Sequence, residues 1–220
     1  MPSKRGAFYV VMAIFMTTLV LAGFWPTYFG VLLSGSEYDR HWIFHIHAVV
    51  FMGWMAALIG QTSLVARRRT KTHMKLGVGG FVWAVAVFVM GVVVSFVLMF
   101  QLFDDGAVTS WPSALWGASA PLVDITQFAI LIALGWTHRK KLDFHKRYMA
   151  LATVAILPAA TARMGYLLGP WSLEVMFAVL AGLLIAYDFR VQSRIHIANL
   201  VGLLILLPRV LLNISYRFIG

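Results

Sequence analysis

The sequence predicts an all-α fold, a single polytopic bundle of transmembrane helices. Three observations carry that expectation. The 220 residues are 61% hydrophobic and only 12% charged, where a soluble domain is about 25% charged. Mean hydropathy is +0.84. The charge is lopsided, 18 Lys and Arg against 8 Asp and Glu, and the bases fall in short runs between apolar stretches. A membrane protein marks its cytoplasmic face that way. A nucleic-acid binder instead gathers its bases into a patch with aromatics between them, so no nucleic-acid partner is expected. Cysteine is absent, which excludes disulfides, thiolate metal sites, iron–sulfur clusters and covalently attached haem.

Seven stretches reach the roughly 20 apolar residues that a span requires. They are 7–33, 42–65, 75–103, 119–137, 147–168, 171–188 and 196–216. The first follows the basic MPSKRG but is longer than a leader's apolar core of about 7–15 residues, so it reads as a retained helix. The third is overlong and predicts tilt or extension past the hydrocarbon. Asp104–Ala118 reads as the longest loop, with turn chemistry at Asp104-Asp105-Gly106 and Trp111-Pro112-Ser113. Pro158 predicts a kink in the fifth span, whose alanines (Ala150, Ala152, Ala155, Ala159, Ala160) suit close helix packing. Residues 1–220 read as one domain, with no linker.

Charge bias orients the bundle. With the N-terminus cytoplasmic, the inner segments hold Lys4, Arg5, Arg67, Arg68, Arg69, Lys71, Lys75, Arg139, Lys140, Lys141, Lys146, Arg147, Arg190 and Arg194, fourteen of the eighteen bases. The outer half keeps Arg40, Arg163, Arg209 and Arg217, and six of the eight acids: Glu37, Asp39, Asp104, Asp105, Asp124 and Glu174. An odd number of spans puts the C-terminus outside. The expected location is the inner (cell) membrane, with the lipid bilayer as the first partner.

After the first span the chain reads as three helical hairpins. Each inner turn is basic and ends on a histidine that opens the next helix: RRRTKTH at His73, RKKLDFH at His145 and RVQSRIH at His196. Three imidazoles on three helices therefore sit at one depth, with His138 a fourth candidate on the same side. Such histidines cap backbone N–H groups, converge on a metal or haem, or relay protons. The metal reading uses His73, His145 and His196, and the haem reading draws on all four. His41, His45 and His47 form H-x-x-x-H-x-H, but His47 points away from His45, so one helix cannot aim all three at one ion.

Ionisable groups inside a span face the bundle interior and take partners. His47, Trp54 and Gln61 are spaced by seven and form one stripe; Asp124, Gln127, Leu131 and His138 form another. His145 and Arg163 are eighteen apart, five turns at about 3.6 residues per turn, and point the same way on an unbroken helix. The outer third then gathers His45 or His47, Asp124, Arg163 and Arg209, with Asp124 the counter-charge. This reads as a structural ion pair or as a site for an anionic ligand or quinone headgroup.

The stretch HIHAVVFMGWMAALIGQTSLVARRRTKTHMKLG, followed by HKRYMALATVAILPAATARMGY, resembles bacterial membrane proteins of domain-of-unknown-function family 2306. The matching positions are His47 or His45, Gln61, His73 with Leu76 and Gly77, then His145 with Met149 and Arg163. The likeness covers roughly residues 45–168 and leaves spans six and seven outside. It implies a polytopic helical fold and promises no activity. More distantly the chain is similar to b-type haem membrane cytochromes, which imply facing histidine pairs. His73 with His145 is the inner pair that likeness selects.

The function expected from these readings is a cytoplasmic-face histidine site holding one haem b or a metal, for electron transfer or quinone-linked redox. Its partner would be a quinone or another membrane redox protein. A small-solute or ion permease built on Asp124, Arg163 and Arg209 is one alternative; a non-catalytic accessory or assembly subunit is another. No flavin or nicotinamide fingerprint is present.

Overall fold

The computed structural model describes residues 4–36 and 41–219, with side chains for 7–36 and 41–216. Glu37, Asp39 and Arg40, and the side chains of Lys4, Arg5 and Arg217, counted above for orientation, lie outside the described residues. Every regular element described is helical. Helix α1 (Lys4–Phe24) runs through a wider π-helical turn at Trp25–Phe29 into α2 (Gly30–Leu33). Pro26 lies in the first turn of the wide segment, where its missing N–H removes one i→i−4 bond.

Then come α3 (Ile43–Ala66), α4 (Thr70–Asp104), α5 (Trp111–Thr137), α6 (Leu142–Ala155), α7 (Pro158–Ala162), α8 (Gly165–Leu168), α9 (Ser172–Gln192) and α10 (Ile197–Ile219). Among the described residues, six helices are long and apolar enough to cross a membrane: Ala7–Leu33, Ile43–Ala66, Thr70–Asp104, Trp111–Thr137, Ser172–Gln192 and Ile197–Tyr216. At 35 residues, α4 extends about 52 Å, more than the roughly 30 Å of hydrocarbon. Its outward side is apolar, with Val78, Val82, Val85, Val89 and Val93 exposed. A face like that is stable against lipid and costly against water.

Two sequence expectations are corrected. The loop expected from Asp104 to Ala118 ends earlier, because α5 begins at Trp111. Ser110 caps it, its hydroxyl accepting from the Ser113 N–H at 3.4 Å. Pro112 sits in the first turn, where its missing donor costs nothing. Ser-x-Pro is thus a helix start rather than a turn.

The second correction concerns residues 147–168, expected to form one kinked span. They form α6, α7 and α8 instead. α6 stops at Ala155, where the Ile156 and Leu157 N–H groups tighten onto the Thr153 and Val154 carbonyls, and Pro158 starts a new short helix. The five-turn arithmetic linking His145 to Arg163 fails at this break.

The broken segment is also the centre of the molecule. Along α6 every residue from Ala150 to Ala155 is buried. α5 and α10 pack on α6, while α1 touches both α6 and α7. α3, α4 and α5 follow one another around it as antiparallel neighbours. Small residues permit these approaches: a Cβ on Gly23 would collide with the Ala160 carbonyl, and one on Gly202 with Leu151. At the core Trp54 meets Phe128 edge-on at 5.2 Å and donates to the Thr153 hydroxyl at 3.2 Å. Thr17, Thr62, Ser95 and Thr126 return their hydroxyls to carbonyls one turn back. Hydroxyls surrounded by apolar groups must find a partner within their own helix.

Candidate functional site

Packing brings the basic turns together at one end of the bundle. The His73 and His145 rings face each other with centroids 6.2 Å apart and planes at 70°. α4 supplies one from its first turn and α6 the other. His145 Nδ1 lies 2.8 Å from the Gly135 carbonyl at the end of α5. A carbonyl only accepts, so Nδ1 is the donor, which in the neutral imidazole leaves Nε2 as the acceptor. A metal-binding imidazole is oriented in this way. His73 Nδ1 is buried without a hydrogen-bond partner, as is the side-chain oxygen of Gln61. The Gln61 backbone carbonyl on α3 reaches the same His73 imidazole.

Beside His73, one and two turns along α4, Gly77 and Gly80 are half-buried. A Cβ on either would meet nothing within 4 Å. The face that carries His73 is therefore bare backbone next to open space, a surface a flat ring system can lie against.

The other two inner histidines stand apart. His196 Nδ1 accepts the Ala198 N–H at 3.1 Å, so it caps its own helix. The Phe144 ring packs on it at 4.7 Å and stacks with His138 on another side at 5.3 Å. His138 Nδ1 returns to the Leu134 carbonyl at 2.9 Å. Among the described residues no group of three or more His, Asp or Glu could hold a metal ion. The sequence places four histidines at one depth; the structure pairs two.

An ion-pair network that sequence reasoning missed braces this end. Arg147 is only 1% exposed and Asp188 fully buried. Arg147 donates through Nε at 2.9 Å and through Nη2 to one oxygen of Asp188. The other oxygen accepts from the His196 N–H at 2.7 Å and Asn199 Nδ2 at 2.8 Å. One carboxylate thus ties α6, α9 and α10 together. The sequence places Arg147 only among the bases of the inner segments; Asp188 and Asn199 inside apolar runs are the available signal. On the rim, the Lys146 ammonium bonded to Asp143 holds that carboxyl below the usual carboxylate range.

Toward the other end, Asp124 meets Arg209 as the sequence suggests, Nε lying 2.8 Å from Oδ1. Both are 7% exposed. One turn beyond Arg209, Asn213 donates to Glu174 at 2.7 Å. Arg163 does not join Asp124. Its guanidinium lies over the Phe24 ring at 4.7 Å and donates to the Ala159 carbonyl, because the α6–α7 break turns it toward α1. His47 packs against Phe51 at 4.1 Å, within the electrostatic reach of Arg163, while His45 bonds the Tyr28 hydroxyl at 3.0 Å. Asp124→Ala strands the Arg209 charge and is expected to cost about 3 kcal/mol, read as a lower unfolding temperature in detergent. Wild-type stability in that variant would show that the pair contributes nothing.

Fold and sites together define a class, a helical membrane protein with, among the described residues, one histidine pair and two buried ion pairs. Compared with protein-family models, curated proteins and solved structures, the chain finds no match.

Proposed function

We propose that the chain is a seven-span inner-membrane protein that holds one haem b between His73 and His145 and passes electrons through it. The broken segment α6–α8 counts as the fifth span, the N-terminus is cytoplasmic and the C-terminus is outside. Clustering of the basic turns at one end supports this orientation. A cysteine placed at Lys140 should then react with an impermeant maleimide only from the cytoplasmic side. Labelling of intact cells would reverse the topology.

The observation that carries the reading is the spacing of the two imidazoles. Metal–nitrogen bonds of about 2 Å bring two imidazole centroids to within roughly 5–6.5 Å of each other, and these rings stand at 6.2 Å. A bare zinc-type ion takes about three or four protein ligands, and only two converge here. Two suffice for a haem iron, whose macrocycle brings the remaining nitrogens. Gly77 and Gly80 leave the room beside His73 that a planar group needs. Haem, when bound, supplies a one-electron couple. The chain's own part is to fix the ligand tautomer through Gly135 and to hold α6 in place through Arg147–Asp188. Protein expressed with added haem and purified should show a Soret band. A colourless, metal-free product would end the proposal.

A further inference from the structure

The polar groups around Arg209 are not all accounted for by its ion pair. Arg209 Nε lies 2.8 Å from Asp124 Oδ1 as an ion pair, yet neither Nε nor Nη1 of the guanidinium, both buried, has a hydrogen-bond partner. On α5, one turn inward from Asp124, Gln127 is 5% exposed, and both its amide oxygen and its amide nitrogen are unpartnered. Leaving such groups unmet in an apolar interior costs about 1–3 kcal/mol each. Both residues line the same cavity, so the unmet groups converge instead of scattering.

The break in the fifth segment opens that cavity. α6 ends beneath it at Val154 and Ala155; Pro158 and Thr161 of α7 form another side, and α9 and α10 close the rest. The cavity has a volume of about 20 Å³. The half-buried Pro158, Phe177 and Val210 form the mouth. An interior that small takes one oxygen atom or one water, with anything larger resting outside among apolar side chains.

Charge and surroundings narrow the ligand. Arg209 with Asp124 is a neutral pair, so no net field favours an anion over an uncharged group. The free donors, Arg209 Nη1 and Gln127 Nε2, call for an acceptor oxygen. The walls are apolar and belong to membrane-spanning helices, so a ligand arrives from the bilayer. We propose that this cavity receives a carbonyl oxygen of a lipid-soluble quinone, with the oxygen between Arg209 and Gln127 and the ring at the mouth beside Phe177. The proposal deepens the redox reading and rests on it for the ligand's identity, whereas binding itself requires no haem.

The test is a titration of the purified protein with decylubiquinone, in nanodiscs of ether-linked lipid that offers no ester carbonyl. The readout is the rise in unfolding temperature. Wild type should show a saturable rise. Gln127→Leu keeps the Asp124–Arg209 pair and removes an unmet amide, so its stability without quinone should match or exceed wild type. Its half-saturating quinone concentration should be roughly tenfold higher, as the loss of one or two buried hydrogen bonds requires. A weaker quinone response in ester-lipid discs than in ether-lipid discs would support the carbonyl chemistry and name lipid esters as competitors. No saturable rise in wild type, or equal half-saturation in the two proteins, would overturn the assignment. A colourless protein that still binds quinone would separate this failure from that of the haem reading.

Discussion

Asp188→Ala is expected to be the most destabilising single change in the molecule, at about 3–5 kcal/mol. The variant leaves the Arg147 guanidinium in an interior where it is 1% exposed, with only the Asp143 carbonyl at 2.7 Å and the longer contact to the Asp143 carboxylate to answer it. It also removes the acceptor for the His196 N–H and for Asn199. The measurement is thermal unfolding in detergent, with yield as a secondary reading. Replacing both charges, Arg147→Met with Asp188→Leu, should recover most of the loss, since a well-packed apolar pair is often as stable as a buried ion pair. If the single variant unfolds like wild type, the network is not what holds α6, α9 and α10 together.

His145→Ala should abolish the Soret band altogether, and His73→Ala should remove it or convert it to a weakly bound, high-spin form. The asymmetry follows from orientation. The Gly135 carbonyl fixes His145 Nδ1 at 2.8 Å, whereas His73 is met only by the Gln61 backbone carbonyl and its Nδ1 has no partner. An imidazole aimed in advance loses less freedom on binding and contributes more. His196→Ala is the control: it removes a helix cap, costs about 1 kcal/mol, and leaves the spectrum unchanged. A band that survives in His145→Ala, or disappears in His196→Ala, would contradict the assignment of the pair.

Much of the architecture was legible because hydrocarbon imposes so few solutions. Each of the six long helices overlaps a stretch read from apolar length. Asp124 with Arg209 was legible for a related reason, since a charge inside a span needs a counter-charge and few were on offer. The fifth segment was not legible as broken at Pro158, because a proline inside an apolar run reads as a kink or a stop alike. What separates them is the tightening at Ile156 and Leu157, a tertiary outcome. That break also undid the expected partnership of Arg163 with Asp124.

Among the histidines, equal depth was readable but direction was not. Three sequence-equivalent positions became a facing pair and a cap, because Phe144 packs against His196 while Gly135 receives His145. The Arg147–Asp188–Asn199 network was hidden by position. Arg147 stands two residues beyond His145 in a basic run, and membership of that run said nothing of burial.

The shortness of α6 has a consequence for biogenesis. At 14 residues it falls below the roughly 20 that partition into a bilayer unaided, and it carries an arginine that lipid alone would reject. Its counter-ion, Asp188, is translated about forty residues later, and Asn199 later still. The middle of the protein is therefore expected to complete its packing late. Its final packing is expected only when the last hairpin arrives, and a nascent chain cut off before that hairpin would present quality-control proteases with a guanidinium answered by Asp143 alone.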